Sequence, residues 1–543
     1  MQREIEDLLS NLVKIRSDTG TELERDIEQY IYKWINDLEY FIKNKENSGM
    51  YEIESDPLKR AIVWALVKGE GDKTIILLHH HDVVDAYDYG ILKEFAYSPD
   101  ILKNKLIEYD LNEDSKKDLI SGEWIFGRGI ADMKSGAAIH MSLIKEFSKD
   151  KNFNGNVLLL SVPDEESLSL GARESSRLLK KLKKEFNLEY MLCIDGESHQ
   201  RDHKGRGIIY EGSVGKTMVV IYVRGEKTHI SNIFEGINPC HVLSEIVGNI
   251  DMNPMFSDIV HGEVSPPPSW SHVRDTKEQY DASIPESAGG YFSVLTLSQT
   301  PKDILEKVIK LSEESFDSVI KKMNKHYAKF RIMSHLPIET LPWDTDVVLF
   351  SDIYKQAIED SKEEFVKVYH QKIQSIKQEI EKGTTNIPNS TMELIGITLD
   401  FIKDKSPKVV IAFSPPYYPH ISNLDFKNIP EKVCLLGEEI VQYAKNSMNI
   451  EYIRKFYFMG ISDMSYFALS DSESVIPYIE PNMPHWGKTY EIPFSDIKDL
   501  SIPIINIGPF GKDYHKFTER VLREDVLSIT PQLTKFAIES ILD

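Results

Sequence analysis

The chain has 543 residues, 41% of them hydrophobic and 10% aromatic, with a formal net charge of −22. That length and apolar content can build one large or two or three ordinary domains and argue against extensive disorder. The acidic balance argues against nucleic acid and anionic membranes as partners.

The N-terminal stretch MQREIEDLLSNLVKIRS places Ile5, Leu8, Leu9, Leu12 and Val13 at helical spacing, which predicts an amphipathic helix rather than a signal peptide. No apolar run approaches the ~20 residues of a membrane span. The three cysteines, Cys193, Cys240 and Cys434, are too scattered for a disulfide framework. The expectation is a soluble, cytoplasmic protein with no membrane partner. Short β-branched runs at 61–67, 74–80, 156–162, 190–195, 409–413 and 502–508 predict buried strands. Helical patterns at about 131–149, 168–186, 433–446 and 517–542 alternate with them. This alternation predicts an α/β fold, a layered domain with a central mixed sheet flanked by helices.

Between 213 and 330 the pattern becomes β-α-β-α, from GKTMVVIYVRG to the long helix starting PKDILEKV, with the stiff loop SPPPSW at 265–270. An inserted two-layer α+β domain is expected there. The boundaries are 1–212 for the first part of the main domain, 213–330 for the insert and 331–543 for the second part, with an extension at about 331–450. Inside that extension, 361–383 reads as an amphipathic helix with Phe365, Tyr369, Ile373, Ile376 and Ile380 in one stripe and Gly383 at its C-cap.

The run TIILLHHHDVVD, at 74–85, ends in adjacent histidines. As a strand it sends His80 and Asp82 one way and His79 and His81 the other. A histidine at a strand's carboxyl end, with a carboxylate two residues on to orient the ring, suits a metal ligand. His79 and His81 are then replaceable. GRGIADMKSG supplies Asp132, which as an isolated residue reads equally well as a helix N-cap. PDEES supplies Asp164, Glu165 and Glu166 after the strand at 156–162, and CIDGES supplies Asp195 and Glu197 after the next. GPFGKDYHKFTERV adds His515. Carboxylates crowded at one sheet edge repel unless a cation neutralises them. The set is rich in carboxylate, includes imidazole and lacks thiolate, which describes a hard-to-borderline divalent metal site. Elsewhere, His140 reads as packed in a helix, Cys193 as buried, and His485 first as an ordinary loop residue beside Trp486, with substrate contact as the lesser alternative.

The series HHHDVVD, GRGIADMKSG, PDEES, CIDGES and HKFTERV, in this order, resembles the di-zinc exopeptidases and amidohydrolases. These include carboxypeptidase G, succinyl-diaminopimelate desuccinylase, aminoacylase and peptidase T. The length and the region 331–470 look most like the arginine-utilisation RocB branch. The segment RGEKTHISNIFEGINPC resembles the family's lid or dimerisation domain. GISDMSYF, at 460–467, resembles its segment near the substrate.

The resemblance implies a metal-dependent hydrolase of an amide or peptide bond in a small molecule or short peptide, working with two divalent ions, zinc first and cobalt or manganese as alternatives. By resemblance His80 binds one ion with Asp82 orienting it, Asp132 bridges, Glu166 and His515 complete the second site, and Glu165 is the general base. The remaining first-site ligand is Glu197, with Asp195 as the alternative. His229 corresponds to a lid histidine that reaches a partner's active site, which implies a homodimer through the insert. A cis peptide is implied at Asp132–Met133. The chain departs from the pattern at Asp85, where proline is usual, and at Leu295 and Thr296, where many relatives place an arginine that holds a substrate carboxylate. Arg224 and Arg274 could stand in for that role but read first as ordinary surface residues. A competing reading keeps the fold as a metal-stabilised scaffold or binding protein without catalysis; the presence of Glu165 counts against it.

Overall fold

Apolar runs bounded by turn residues form an eight-stranded sheet in the computed structural model, which describes residues 1–150 and 154–542. In spatial order the strands are Ser48–Glu52, Ala61–Lys68, Asn156–Val162, Lys73–His80, Glu189–Asp195, Ile504–Asn506, Gly207–Tyr210 and Tyr452–Lys455. The four from Asn156–Val162 to Ile504–Asn506 run parallel to one another, Ser48–Glu52 and Ala61–Lys68 add an antiparallel edge, and Gly207–Tyr210 pairs antiparallel with Ile504–Asn506.

Both sheet faces are covered, as expected for parallel strands. Ile75 and Leu77 join one apolar cluster with residues of the helices Gln2–Lys14, Ser135–Phe147, Glu431–Tyr443 and Thr530–Leu542. Ile76 and Leu78 join the other, with Leu178, Leu179 and Leu182 of the helix Leu170–Phe186. The N-terminal stripe Ile5, Leu8, Leu9, Leu12 and Val13 is buried as its spacing implies. These elements belong to a compact unit made of Met1–Val214, Pro419–Ser470 and the segment from Ile492 on.

A second compact unit comprises Gly215–Tyr418 and Asp471–Glu491. Its five-stranded sheet runs Ser269–Asp275, Ser287–Thr296, Gly215–Arg224, Lys408–Tyr418, Val347–Leu349. The helices Pro239–Ile250 and Pro301–Met333 pack with each other and against this sheet, as the β-α-β-α pattern predicts. From 331 to Tyr418 the chain stays in this second unit, where the sequence pattern returns it to the main domain already at 331. Lys408–Tyr418 pairs antiparallel with Gly215–Arg224, Ile411 opposite Ile221. The helices Phe350–Glu381 and Ile387–Asp400 bury Phe365, Tyr369, Ile376 and Ile395 with Val220, Tyr222, Val410 and Ala412 of the sheet. An apolar run such as VVIAF reveals burial but not which sheet it joins.

The expected helix 517–542 begins only at Thr530. Before it, Arg520–Leu522 is a strand paired with Trp124–Phe126, and Asp525–Ile529 is one wide helical turn. Among the described residues no helix is long and apolar enough to cross a membrane.

Candidate metal centre

Parallel strands bring their carboxyl ends to one sheet edge, where ligands gather in α/β folds. His80 is the last residue of Lys73–His80. Glu165 and Glu166 lie in the turn after Asn156–Val162. Glu197 is two residues beyond Glu189–Asp195. His515 follows the short strand Gly511–Lys512, reached from Ile504–Asn506. Asp132 comes from the turn Ile130–Lys134 that feeds the helix Ser135–Phe147, and its φ of −115° and ψ of 95° are not helical. The Asp132–Met133 peptide is cis.

His80 Nε2 lies 3.1 Å from Asp132 Oδ1 and 3.1 Å from Glu197 Oε1. His515 Nε2 lies 3.2 Å from Asp132 Oδ2 and 3.1 Å from Glu166 Oε2. The side chains thus converge as two donor triads sharing Asp132: His80, Asp132 and Glu197, and Asp132, Glu166 and His515. Donors about 2.0–2.1 Å from a common tetrahedral ion stand roughly 3.3 Å apart, so these spacings fit ligands around an ion. The donor chemistry fits as well: imidazole and carboxylate without thiolate suit a hard-to-borderline divalent cation. Glu166 Oε1 is buried with no hydrogen-bond partner, as an oxygen reserved for such a cation would be.

Strand register separates Glu197 from Asp195. Leu78 pairs with Asp195, so His80 and Glu197 come level at the sheet edge. Asp195 is engaged elsewhere, accepting from Gly196 N at 2.8 Å and Ser462 Oγ at 2.6 Å. His79 and His81 do point away from the centre. Both are fully buried, His79 beside His140 with ring centroids 5.6 Å apart and His81 Nδ1 at 2.9 Å from Ser161 Oγ. Their replaceability therefore extends to metal contact and not to packing.

A buried set of charges holds these loops. Asp82 accepts from Glu165 N and Glu166 N, both at 3.1 Å, and its carbonyl oxygen lies 3.0 Å from His80 Nδ1. Its Oδ1 also lies 3.5 Å from His80 Nδ1, so Asp82 orients the imidazole through backbone and carboxylate and ties down the adjacent turn. Asp164 does not face the centre: Arg60 donates to it at 2.6 Å, and its own N–H donates to Glu24 at 2.9 Å. Glu519 accepts from the backbone N–H groups of Gly129, Ala131 and Asp132 at 3.0–3.3 Å and from Arg128 at 2.8 Å. Glu24, Arg60 and Glu519 were not singled out in the sequence. A charged residue in a helical or loop pattern reads as solvated until its burial is known.

Electrostatics follow from crowding. Burial pushes the Glu165 and Glu197 carboxyls well above the usual range and Glu166 to about 6. Asp463, in the GISDMSYF segment, is pushed to about 8 by burial and lies close enough to Asp195 to feel its charge. Burial opposes charge on His80, but hydrogen bonds with Asp132, Asp82 and Glu197 outweigh it and hold the imidazole well above its ordinary pKa. Asp132 and Glu166 raise His515 to about 11.

Other expected contributors lie in the second unit. His229 is exposed at the start of the turn Ile230–Glu235, its Nδ1 2.8 Å from Ser231 Oγ. Arg224 is buried and donates to the carbonyls of Leu399, Asp404 and Ser406, which removes it as a carboxylate receptor. His485 is buried between Ser390 and Thr489, with burial lowering its pKa to about 4, which marks a packed histidine.

The model of the Peptidase family M20/M25/M40 matches residues 112–485. The chain is 30% identical to the protein YqjN of Bacillus subtilis (strain 168) over 98% of this chain and 96% of that one. It is also 30% identical to the protein RocB of the same organism, over 97% and 93%. A succinyl-diaminopimelate desuccinylase of Wigglesworthia glossinidia brevipalpis is 30% identical over 38% of this chain and 49% of that enzyme. Among solved structures, the aminopeptidase PepT from Bacillus cereus ATCC 10987 shares the fold, with a TM-score of 0.54 and 13% identity over 100% of this chain and 99% of that one. With a family match across both compact units and similarity to RocB and YqjN along nearly its whole length, the chain belongs to peptidase family M20/M25/M40 and is a metal-dependent peptidase or amidohydrolase.

Proposed function

We propose that this protein hydrolyses the amide bond of a dipeptide or N-acyl amino acid with two divalent ions, zinc first. His80, Asp132 and Glu197 hold one ion; Asp132, Glu166 and His515 hold the other. The observation that carries this reading is the placement of Asp132, whose two carboxylate oxygens each face a different imidazole. Ions bound there would acidify a water and polarise the scissile carbonyl.

Glu165 is the base. Its Oε2 lies 4.0 Å from His80 Nε2, outside the closer donor sets, and its buried carboxyl has a high proton affinity. It takes the proton of the attacking water and returns it to the leaving nitrogen, a role worth about 10²–10⁴-fold. Asp82 keeps the His80 ring and the 165–166 turn in register during this exchange. Resemblance to the RocB branch suggests an arginine- or ornithine-derived substrate, to be included in the assay panel.

Elemental analysis of wild type, Glu165→Gln and His80→Ala, with turnover on acylated amino acids and dipeptides, tests this. The expectation is two metal ions in wild type, two in Glu165→Gln with turnover down about 10²–10⁴-fold, and fewer in His80→Ala. Full activity in Glu165→Gln, or no metal bound by wild type after reconstitution, rejects the mechanism.

His229 donates to the developing oxyanion from a second copy of the chain, so the active form is a homodimer. Mixing inactive Glu165→Gln with inactive His229→Ala should then restore part of the activity. Failure of dimers known to exchange subunits to complement would remove His229 from this role.

A further inference from the structure

The second compact unit contains a cavity of about 450 Å³ lined on one side by the helix Phe350–Glu381 and on the other by residues of the segment 480–488. This volume suits a small ligand, since such sites run from about 300 to 1,000 Å³. Tyr354 and Tyr369 meet edge-on with ring centroids 5.3 Å apart. Tyr369 is fully buried, and its hydroxyl donates to the Pro484 carbonyl at 2.9 Å, which fixes the ring. Met483 and Trp486 extend the apolar wall.

Four charged side chains line this space: Lys355 and Glu359 are exposed to solvent, and the two partly buried ones, Lys488 and Glu480, have no ion-pair partner among the described residues. The Lys488 ammonium lies 5.5 Å from the Tyr369 centroid and 5.8 Å from the Tyr354 centroid, within cation–π range. Among the described residues no carboxylate pairs with it, and burial lowers its pKa. Glu480 lines the same space, is partly buried and has no cationic partner among the described residues; burial raises its carboxyl. The two do not form an ion pair with each other. A purely anionic ligand would satisfy Lys488 and leave Glu480 repelled, and a purely cationic one would do the reverse. One bearing both charges satisfies each.

We propose that this cavity binds a free amino acid with an aromatic or large apolar side chain, its carboxylate on Lys488, its ammonium on Glu480 and its side chain against Tyr354, Met483 and Trp486. The site is separate in sequence and in compact unit from the metal centre, and its test needs no turnover.

Calorimetric titration of the full chain with L-phenylalanine, phenylacetate and phenethylamine is the experiment, repeated in Lys488→Met, Lys488→Arg, Glu480→Gln and His80→Ala. Circular dichroism checks that each variant is folded. A charge-assisted hydrogen bond contributes about 1.5–3 kcal/mol, or roughly ten- to a hundredfold in affinity. The expected result is saturable L-phenylalanine binding in wild type and His80→Ala, weakened about tenfold or more in Lys488→Met and Glu480→Gln and largely kept in Lys488→Arg. Phenylacetate and phenethylamine should each bind about tenfold or more weakly than the amino acid. Absence of saturable binding, binding unchanged by Lys488→Met, or binding lost in His80→Ala overturns the proposal. Equal affinity for phenylacetate overturns the assignment of Glu480. Because His80→Ala disables the metal centre, these outcomes are separate from success or failure of the hydrolytic reading.

Discussion

Asp132 can face two imidazoles because Glu519 holds its backbone from behind. Three N–H groups of the 129–132 turn donate to that one carboxylate, and Arg128 balances its charge. In Glu519→Gln the amide NH₂ would meet donors, either the Gly129 N–H and Arg128 or the Ala131 and Asp132 N–H groups, according to its orientation. Supports behind metal ligands typically account for about 10–100-fold in metal affinity. Glu519→Gln should weaken metal binding by about that factor in a chelator competition, and unchanged affinity would remove Glu519 from the positioning role. The candidate ligands were legible one by one because each stands at a strand end or in a glycine-rich turn. Glu519 was not, since the sequence places it in the first turn of a helix expected from 517, where a solvated carboxylate is ordinary. His515 and Asp164 take φ values of 60° and 71°, left-handed conformations uncommon outside glycine that sequence pattern does not signal at these positions.

At the scale of elements, the centre depends on how closely the strand ends approach one another. Gly508 lies against the Glu197 backbone, where an added Cβ would come 1.8 Å from the Glu197 carbonyl oxygen. Asn506 donates to that same oxygen at 2.9 Å. Gly508→Ala must therefore push the 197 turn away, at a cost of about 1–3 kcal/mol for an overpacked site. Stepwise metal titration should show weaker binding at the His80, Asp132 and Glu197 triad with the His515 triad less affected. Equal weakening of both steps would argue against this local account. Periodicity located many elements within a few residues, including Asn156–Val162 and Pro239–Ile250. It failed at 517–529, where a strand and a wide turn precede the final helix, because cross-strand pairing with Trp124–Phe126 overrides local propensity. The amphipathic stripe from Phe365 to Ile380 lies in a longer helix, Phe350–Glu381, with a backbone break at Lys362 close to the expected start.

For the whole molecule, metal binding should act as a folding linkage. The crowded carboxylates of the first unit lose a cation when stripped, so chelation should lower its melting temperature and reloading should raise it. At a free metal concentration a hundredfold above Kd, the stabilisation is about 2.7 kcal/mol per independent site. Calorimetry of stripped and reloaded protein, with Asp132→Ala as control, measures this; identical melting in both states would mean that metal and fold are not coupled. By itself the sequence determined the α/β class and the family and named the candidate donors, because hydrophobic period and strand-end chemistry are local properties written in short segments. Only the tertiary structure decided that Lys408–Tyr418 completes the second sheet, that Glu197 rather than Asp195 stands level with His80, and that Glu24, Arg60 and Glu519 carry the loops. Each of those depends on register or burial between segments far apart in the chain, and neither has a local signature.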